Sequence, residues 1–282
     1  MFIQIWSRNP HKALWHGRSL SSTRRSQGVV SPINVLQKVR LALIVLILAS
    51  VGIPASAATI RIAVASNFTD AAKDIASTFK QKTGHDVLLS FGASGTFYTQ
   101  ITQDAPFQIF LSADELRPKT LIADGFANAG SDFTYAVGKL VLWSTNPDLI
   151  KGPQTLTESV FEKLAICNPA AAPYGAASVE TLKALHVYES LSPKIVQGAN
   201  ITQAFQFVST GNAELGFVAL SQIADSQVGS KWIVPQNLYS PIRQVAVVLQ
   251  KGVGNDAVRD FMLFLKGPQA RAIMEKYGYF TE

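Results

Sequence analysis

Cysteine and histidine are scarce in this sequence. Its 282 residues include a single cysteine, Cys167, which excludes an internal disulfide and a cysteine-based metal cluster. Of the four histidines, only His85 and His186 follow residue 57, and their spacing is not that of metal ligands. We therefore expect neither a disulfide scaffold nor a metal site, and no resident cofactor.

Negative charge is absent from the first 57 residues, which hold seven Lys and Arg and no Asp or Glu. The whole chain has a formal net charge of +6, which alone would favour a nucleic-acid partner. From Ala58 onward, however, 18 basic residues face 19 acidic ones, a net charge of −1. The basic character belongs to the leader, so we expect no binding to nucleic acid.

The leader has the layout of a secretory signal. Lys38 and Arg40 precede an unbroken apolar run over 41–49, and Ala55-Ser56-Ala57 supplies the small residues that signal peptidase accepts. A membrane anchor is the alternative, but the run is much shorter than the ~20 apolar residues that span a bilayer. We predict that residues 1–57 are removed by cleavage after Ala57 and that the remainder is a periplasmic, monomeric protein without stable membrane insertion.

From Thr59 onward, short strand-like runs alternate with amphipathic helices, which is typical of an α/β fold with largely parallel strands. The alternation restarts after about residue 139, and an apolar strand from Ile242 is followed by two helices that lack a sheet of their own. We therefore expect two lobes with the ligand cleft between them, the first formed by 58–139 plus 242–282 and the second by 140–241.

Local signals mark the first helix. Apolar residues from Phe68 to Phe79 recur at helical spacing, and Gly84 suits the left-handed residue that ends a helix. Asn67, three residues before Asp70, resembles an N-terminal cap. His85 follows the helix stop and is expected to face solvent.

Four predicted strand-to-helix turns are small, polar or glycine-bearing, and none carries a charged residue or a histidine. They are Ala65-Ser66-Asn67, Gly92-Ala93-Ser94-Gly95-Thr96, Ala172-Pro173-Tyr174-Gly175 and Ala199-Asn200-Ile201-Thr202. In open α/β sheets ligands bind beyond the carboxyl ends of the strands, and helix N-termini offer N–H donors and partial positive charge. Such turns favour a fully deprotonated tetrahedral oxyanion, because they offer no acceptor for a ligand proton. Alternatively, these residues serve only as caps and turn formers.

Several segments together resemble the periplasmic molybdate-binding proteins that feed ABC importers. These segments are Ala65-Ser66-Asn67-Phe68, Phe91-Gly92-Ala93-Ser94-Gly95, Ala105-Pro106-Phe107, Leu111-Ser112-Ala113-Asp114, Asn168-Pro169, Pro173-Tyr174-Gly175, Glu214-Leu215-Gly216-Phe217-Val218 and Lys266-Gly267-Pro268-Gln269-Ala270. The resemblance implies a type II periplasmic-binding-protein fold, a molybdate or tungstate ligand held between the lobes, and a membrane permease as partner.

The resemblance also implies a set of anion-binding residues. Hydroxyls of Ser66 and Ser94 match the family's serines, and Asn67 matches a branch that adds a backbone N–H at this turn. Backbone N–H groups come from Tyr174 and from Ile201, where the family often has Val. Ala219 departs from the family, since many members place a tyrosine hydroxyl there.

Two alternatives to a molybdate receptor remain open. The first is a receptor for another oxyanion such as sulfate, thiosulfate or phosphate, because only cavity size separates the dianions. The second is an exported hydrolase or transferase on the same fold. We do not expect an enzyme, because no nucleophile and base meet in the four turns. We expect Cys167 to be buried as a small apolar residue, and Asp114 to cap a helix or link the lobes rather than act as a cleft acid.

Overall fold

The computed structural model describes Gln37, residues 57–158 and residues 160–281. The predicted signal segment therefore lies almost entirely outside the described residues, as does the start of the leader. Residues 56–282 form one compact unit, which contains every strand and helix described below. No helix among the described residues is both long enough and apolar enough to cross a membrane.

Ten strands of the described chain form two five-stranded sheets, in the orders β2-β1-β3-β10-β4 and β7-β6-β8-β5-β9. Their bounds are Thr59–Ala65 (β1), Asp86–Gly92 (β2), Ile109–Ser112 (β3), Phe133–Gly138 (β4), Leu140–Ser144 (β5), Leu164–Cys167 (β6), Ile195–Gly198 (β7), Leu215–Ala219 (β8), Ser230–Ile233 (β9) and Ile242–Val248 (β10). We call the sheet containing β1, with its helices, the first lobe, and the sheet containing β6 the second lobe. The predicted α/β fold with two lobes is confirmed.

Helices connect most of the strands. Their bounds are Thr69–Thr83 (α1), Ser94–Thr102 (α2), Leu116–Ala123 (α3), Gln154–Glu158 (α4), Pro173–Ala184 (α5), Tyr188–Leu191 (α6), Ile201–Ser209 (α7), Asp256–Lys266 (α8) and Pro268–Lys276 (α9). Short 3₁₀ turns occur at Ser66–Phe68 and Leu220–Gln222, among other places. The helical stripe predicted for α1 is confirmed, since Ala71, Ala72, Ile75 and Phe79 are buried.

The expectation of largely parallel sheets is wrong. In the first sheet β1 pairs in parallel with β2 and β3, but β10 is antiparallel to both β3 and β4. The second sheet has the same mixture of pairings, with β6 parallel to β7 and β8, and β5 antiparallel to β8 and β9. The chain reaches β5 directly from β4 and returns to the first sheet through β10, so these antiparallel strands carry the crossovers between lobes.

Two local predictions around α1 are also wrong, and a third is confirmed. His85 is buried, with 8% of its surface exposed, and its Nδ1 accepts a hydrogen bond from the Ala58 N–H at 3.1 Å. Asn67 does not cap α1, whose N-cap position is Phe68 without a side-chain bond. Gly84 does end α1 in the left-handed region, at φ 78°.

Candidate functional site

The four uncharged turns all lie at the carboxyl ends of parallel strands. The 3₁₀ turn Ser66–Phe68 follows β1, α2 begins after β2, α5 begins after β6, and α7 begins after β7. Two turns therefore belong to each lobe. Because parallel strands point the same way, the turns of each lobe gather at one edge of its sheet, as the sequence predicted.

Hydrogen bonds join these turns across the lobes. The Gly95 N–H donates to the Ala171 carbonyl at 2.8 Å, linking the turn before α2 to the loop before α5. The Thr202 hydroxyl approaches the Ser66 carbonyl at 3.4 Å, linking α7 to the turn after β1. These two bonds hold the lobes in a closed arrangement next to the predicted turns.

All five predicted anion-binding residues are buried in this closed arrangement. Their exposed fractions are 6% for Ser66, 4% for Asn67, 1% for Ser94, 1% for Tyr174 and 3% for Ile201. Polar groups at such sites are expensive to desolvate without partners. A buried ligand that accepts hydrogen bonds would offset this cost.

The Ser94 hydroxyl accepts one hydrogen bond from the protein and keeps its proton free to donate. Its Oγ accepts a hydrogen bond from the Ala113 N–H at 3.0 Å. Because that bond occupies a lone pair of the oxygen, the hydroxyl proton is available to an acceptor elsewhere. Ser94 is also the first residue of α2, where the N–H groups lie outside the helical pattern.

The turn before α7 is capped by its own side chains. Asn200 accepts from the Gln203 N–H at 3.1 Å, and Gln203 Oε1 accepts from the Ala199 N–H at 2.6 Å. These two bonds fix the first turn of α7. The N–H of Ile201, at the start of the helix, is thereby held in a defined direction at the positive end of the helix dipole.

Asn67 is held by a buried polar network. Its Nδ2 donates to Gln244 Oε1 at 2.9 Å and contacts the Tyr279 hydroxyl at 3.0 Å. Its carbonyl accepts from Ser221 of the second lobe at 2.8 Å and from Tyr279 at 2.7 Å. The side chain is therefore engaged by the protein, so any contact of Asn67 with an anion comes from its backbone N–H.

Sequence reasoning missed these network partners. Gln244 could have been found as the lone amide in the otherwise apolar run after Arg243, a position where a buried polar group needs a specific role. Ser221 and Tyr279 carry no comparable signal, because their role depends on contacts 154 and 212 residues away along the chain.

Asp114 and Arg117 form an ion pair beside the cleft. The Asp114 carboxylate accepts from the backbone N–H of Arg117 at 2.9 Å and pairs with its guanidinium. The same guanidinium donates to the Ala170 carbonyl of the second lobe at 2.9 Å. Asp114 thus accepts from an N–H in the first turn of α3, whose N-cap position is Glu115, and orients an arginine that links the lobes. These contacts agree with the expectation of a structural role for Asp114.

A cavity of about 300 Å³ lies between the lobes next to this ion pair. Its lining includes Arg117, Pro173, Glu180 and Arg243, and none of the five predicted anion-binding residues. Pro173 belongs to one of the four turns, so this charged space adjoins the uncharged turns.

Cys167 is fully buried at the end of β6, and burial raises the pKa of its thiol to about 12. A thiol with so high a pKa is a poor nucleophile at neutral pH, since the thiolate is the reactive form. The prediction of a buried, apolar role is confirmed. Within the described residues, no group of His, Cys, Asp and Glu is arranged to hold a metal ion.

Residues 60–280 match the family of bacterial extracellular solute-binding proteins. The chain belongs to this family. It is 52% identical over 230 residues to the molybdate-binding protein ModA of Rhodobacter capsulatus, covering 82% of this chain and 91% of that protein. It is also 52% identical over 229 residues to ModA of Azotobacter vinelandii, covering 80% of this chain and 91% of the relative.

A solved structure agrees with these sequence matches. The periplasmic molybdate-binding protein of Azotobacter vinelandii superposes with a TM-score of 0.77 at 40% identity, covering 79% of this chain and 99% of that one. The predicted family resemblance is confirmed. The family consists of solute-binding proteins, which also confirms the expectation that the chain is not an enzyme.

Proposed function

We propose that this protein is an extracytoplasmic receptor that captures molybdate, and tungstate, between its two lobes and delivers it to the membrane permease of an ABC importer. The observation that carries the proposal is the set of four strand-to-helix turns, which lack Asp, Glu, Lys, Arg and His and are joined across the lobes. Relatives named molybdate-binding proteins at 52% identity support the same ligand.

Five residues would hold the anion. Ser66 and Ser94 donate hydroxyl protons, while Asn67, Tyr174 and Ile201 donate backbone N–H groups. A tetrahedral dianion accepts hydrogen bonds at each of its oxygens, and helix N-termini stabilise its charge without a cationic side chain. None of these groups is a carboxylate that could take the proton of hydrogen phosphate, so the site favours a fully deprotonated anion.

Ala219 offers no hydroxyl to the ligand. It is fully buried at the end of β8, and its N–H donates to Gln222 Oε1 at 2.9 Å. The network around Asn67 supports an alternative, in which the backbone N–H of Asn67 supplies the donor that the tyrosine gives in other members. The five donors are then sufficient for the anion.

We further propose that residues 58–139 with 242–282 form one lobe and residues 140–241 the other. The membership of the two sheets supports these bounds, since β4 ends at Gly138 and β5 begins at Leu140. Signal cleavage after Ala57, a periplasmic location and a monomeric state complete the proposal. Mass spectrometry of protein purified from the periplasm tests the cleavage site, and light scattering tests the monomer.

Isothermal titration calorimetry tests the ligand. Protein exported from the full chain is titrated with molybdate, tungstate, sulfate, thiosulfate and phosphate. Tight binding of molybdate and tungstate alone supports the proposal. Binding of sulfate, thiosulfate or phosphate in their place would retain the oxyanion site but reject molybdate as its ligand. Absence of heat with every anion would reject an oxyanion receptor.

A further inference from the structure

Gln244 lies between the two lobes on β10, with none of its surface exposed. Its Oε1 accepts hydrogen bonds from Asn67 Nδ2 at 2.9 Å and from the Tyr135 hydroxyl at 3.0 Å. Reversing the amide would set its NH₂ group against the NH₂ of Asn67, so these bonds fix its orientation. The Nε2 atom must therefore point away from Asn67.

Two buried polar atoms meet on that other side. Gln244 Nε2 and the Tyr174 hydroxyl both lack a hydrogen-bond partner among the described residues. Both atoms lie close to Gly138 and to each other, since a methyl group built on that glycine would lie 2.1 Å from the Tyr174 oxygen and 2.8 Å from Gln244 Nε2. Tyr174 comes from the second lobe and Gln244 from the first sheet.

Leaving both atoms unsatisfied would be costly. A buried donor or acceptor without a partner loses its hydrogen bonds to water and gains none in return. A single water can satisfy two such groups when both are within its reach, and buried waters are common at polar sites of this kind. Burial raises the pKa of Tyr174 well above its ordinary value, so the phenol keeps its proton and can donate as well as accept.

We propose that Gln244 is a positioning residue that couples the two anion-binding turns. It holds Asn67 directly, and it holds Tyr174 through one buried water next to Gly138. Tyr174 supplies both the phenol at this water and the backbone N–H assigned to the anion. A phenol held in place by the water therefore also holds this N–H group in position. This inference rests on the proposed function and adds to it a link between the ligand turns of opposite lobes.

Tyr174→Phe tests the link, because it removes only the hydroxyl. If the water bridge holds the second lobe in its closed position, molybdate affinity falls about five- to tenfold, the loss expected for one hydrogen bond. The melting temperature without ligand changes little. Tyr188→Phe is the matched control, since this half-buried tyrosine lies on α6 of the same lobe, and its affinity stays at the wild-type value.

An unchanged molybdate affinity of Tyr174→Phe would overturn the inference. A hydroxyl that is merely unsatisfied costs stability, so its removal would leave affinity unchanged and raise the melting temperature. A purely structural hydrogen bond would lower the melting temperature and leave affinity unchanged. Either outcome rejects the coupling, while failure of the wild-type protein to bind molybdate would reject the proposed function instead.

Two further measurements address the water and the partner directly. A high-resolution crystal structure is expected to place a water within hydrogen-bond distance of Tyr174 Oη and Gln244 Nε2, and an empty space there rejects the bridge whatever the protein binds. In a double-mutant cycle with Gln244→Met, the two substitutions are expected to be non-additive for molybdate affinity. Additive effects would reject Gln244 as the partner.

Discussion

Replacing Ser94 with alanine separates its role in binding from its role in folding. The hydroxyl oxygen accepts from the Ala113 N–H, and we assign its proton to the anion. A hydrogen bond to a charged group contributes about 1.5–3 kcal/mol, so Ser94→Ala should weaken molybdate binding by roughly 10- to 150-fold. The lost bond to Ala113 should also reduce the free energy of unfolding by about 1 kcal/mol.

Ser144→Ala supplies the matched control. Ser144 is also fully buried, and its hydroxyl accepts from the Asn146 N–H at 3.1 Å and donates to the Glu214 carbonyl, at the far end of β5 from the cleft. Its replacement should cost comparable stability without changing affinity. Calorimetry gives the dissociation constants, and denaturant unfolding gives the stabilities. Equal affinity of Ser94→Ala and wild type would remove Ser94 from the site and refute the reasoning.

Four other outcomes are expected from the structure. Gly138→Ala should lower the free energy of unfolding by about 1–3 kcal/mol through overpacking, because the new methyl group would overlap the Tyr174 hydroxyl. A variant that unfolds at the wild-type denaturant midpoint would contradict this contact. Arg117→Ala should speed molybdate release about fivefold, because it removes one hydrogen bond between the lobes. Lys119→Ala, on the exposed side of the same helix, should leave the release rate unchanged. Equal release rates of the two variants in stopped-flow measurements would contradict the assigned contact. Molybdate affinity should be constant between pH 6 and 8, since the donors do not titrate, and a steep change would contradict the uncharged pocket. At higher pH the protein should lose stability, because burial raises the pKa of Tyr135 and Tyr174 in the folded state. The free energy of unfolding is therefore retained below the unfolded pKa of about 10 and decreases above it. A free energy of unfolding that stays constant up to about pH 11 would contradict the burial of these tyrosines.

Local sequence signals predicted much of the fold. The strand Thr59–Ala65 and the helix after it follow from patterns within a few residues, including Gly84 at the helix end. The strands Phe133–Gly138 and Ser230–Ile233 were not predicted. Each is paired at one edge of its sheet with an antiparallel strand from a distant part of the chain. Phe133–Gly138 has no strict alternation of burial, and Ser230–Ile233 is only four residues long, which is too short for its alternation to predict a strand.

The candidate site, like the fold, could be predicted from the sequence only where its features are local. The four turns could be recognised because a helix N-terminus is defined by its neighbouring residues. The role of Asn67 could not, since its side chain is recruited by Gln244, 177 residues away, in place of the local cap that the sequence suggested. Composition indicated which groups could donate to an anion, but only the folded chain shows what orients them.

The central claim is that uncharged donors at the four turns hold molybdate. A crystal structure of the molybdate-soaked protein, with anomalous diffraction to locate molybdenum, tests it most directly. We predict one strong peak between the lobes, with oxyanion oxygens within hydrogen-bond distance of Ser66, Ser94 and the backbone N–H groups of Asn67, Tyr174 and Ile201. A peak in the charged cavity beside Arg117, or no peak between the lobes, would contradict it.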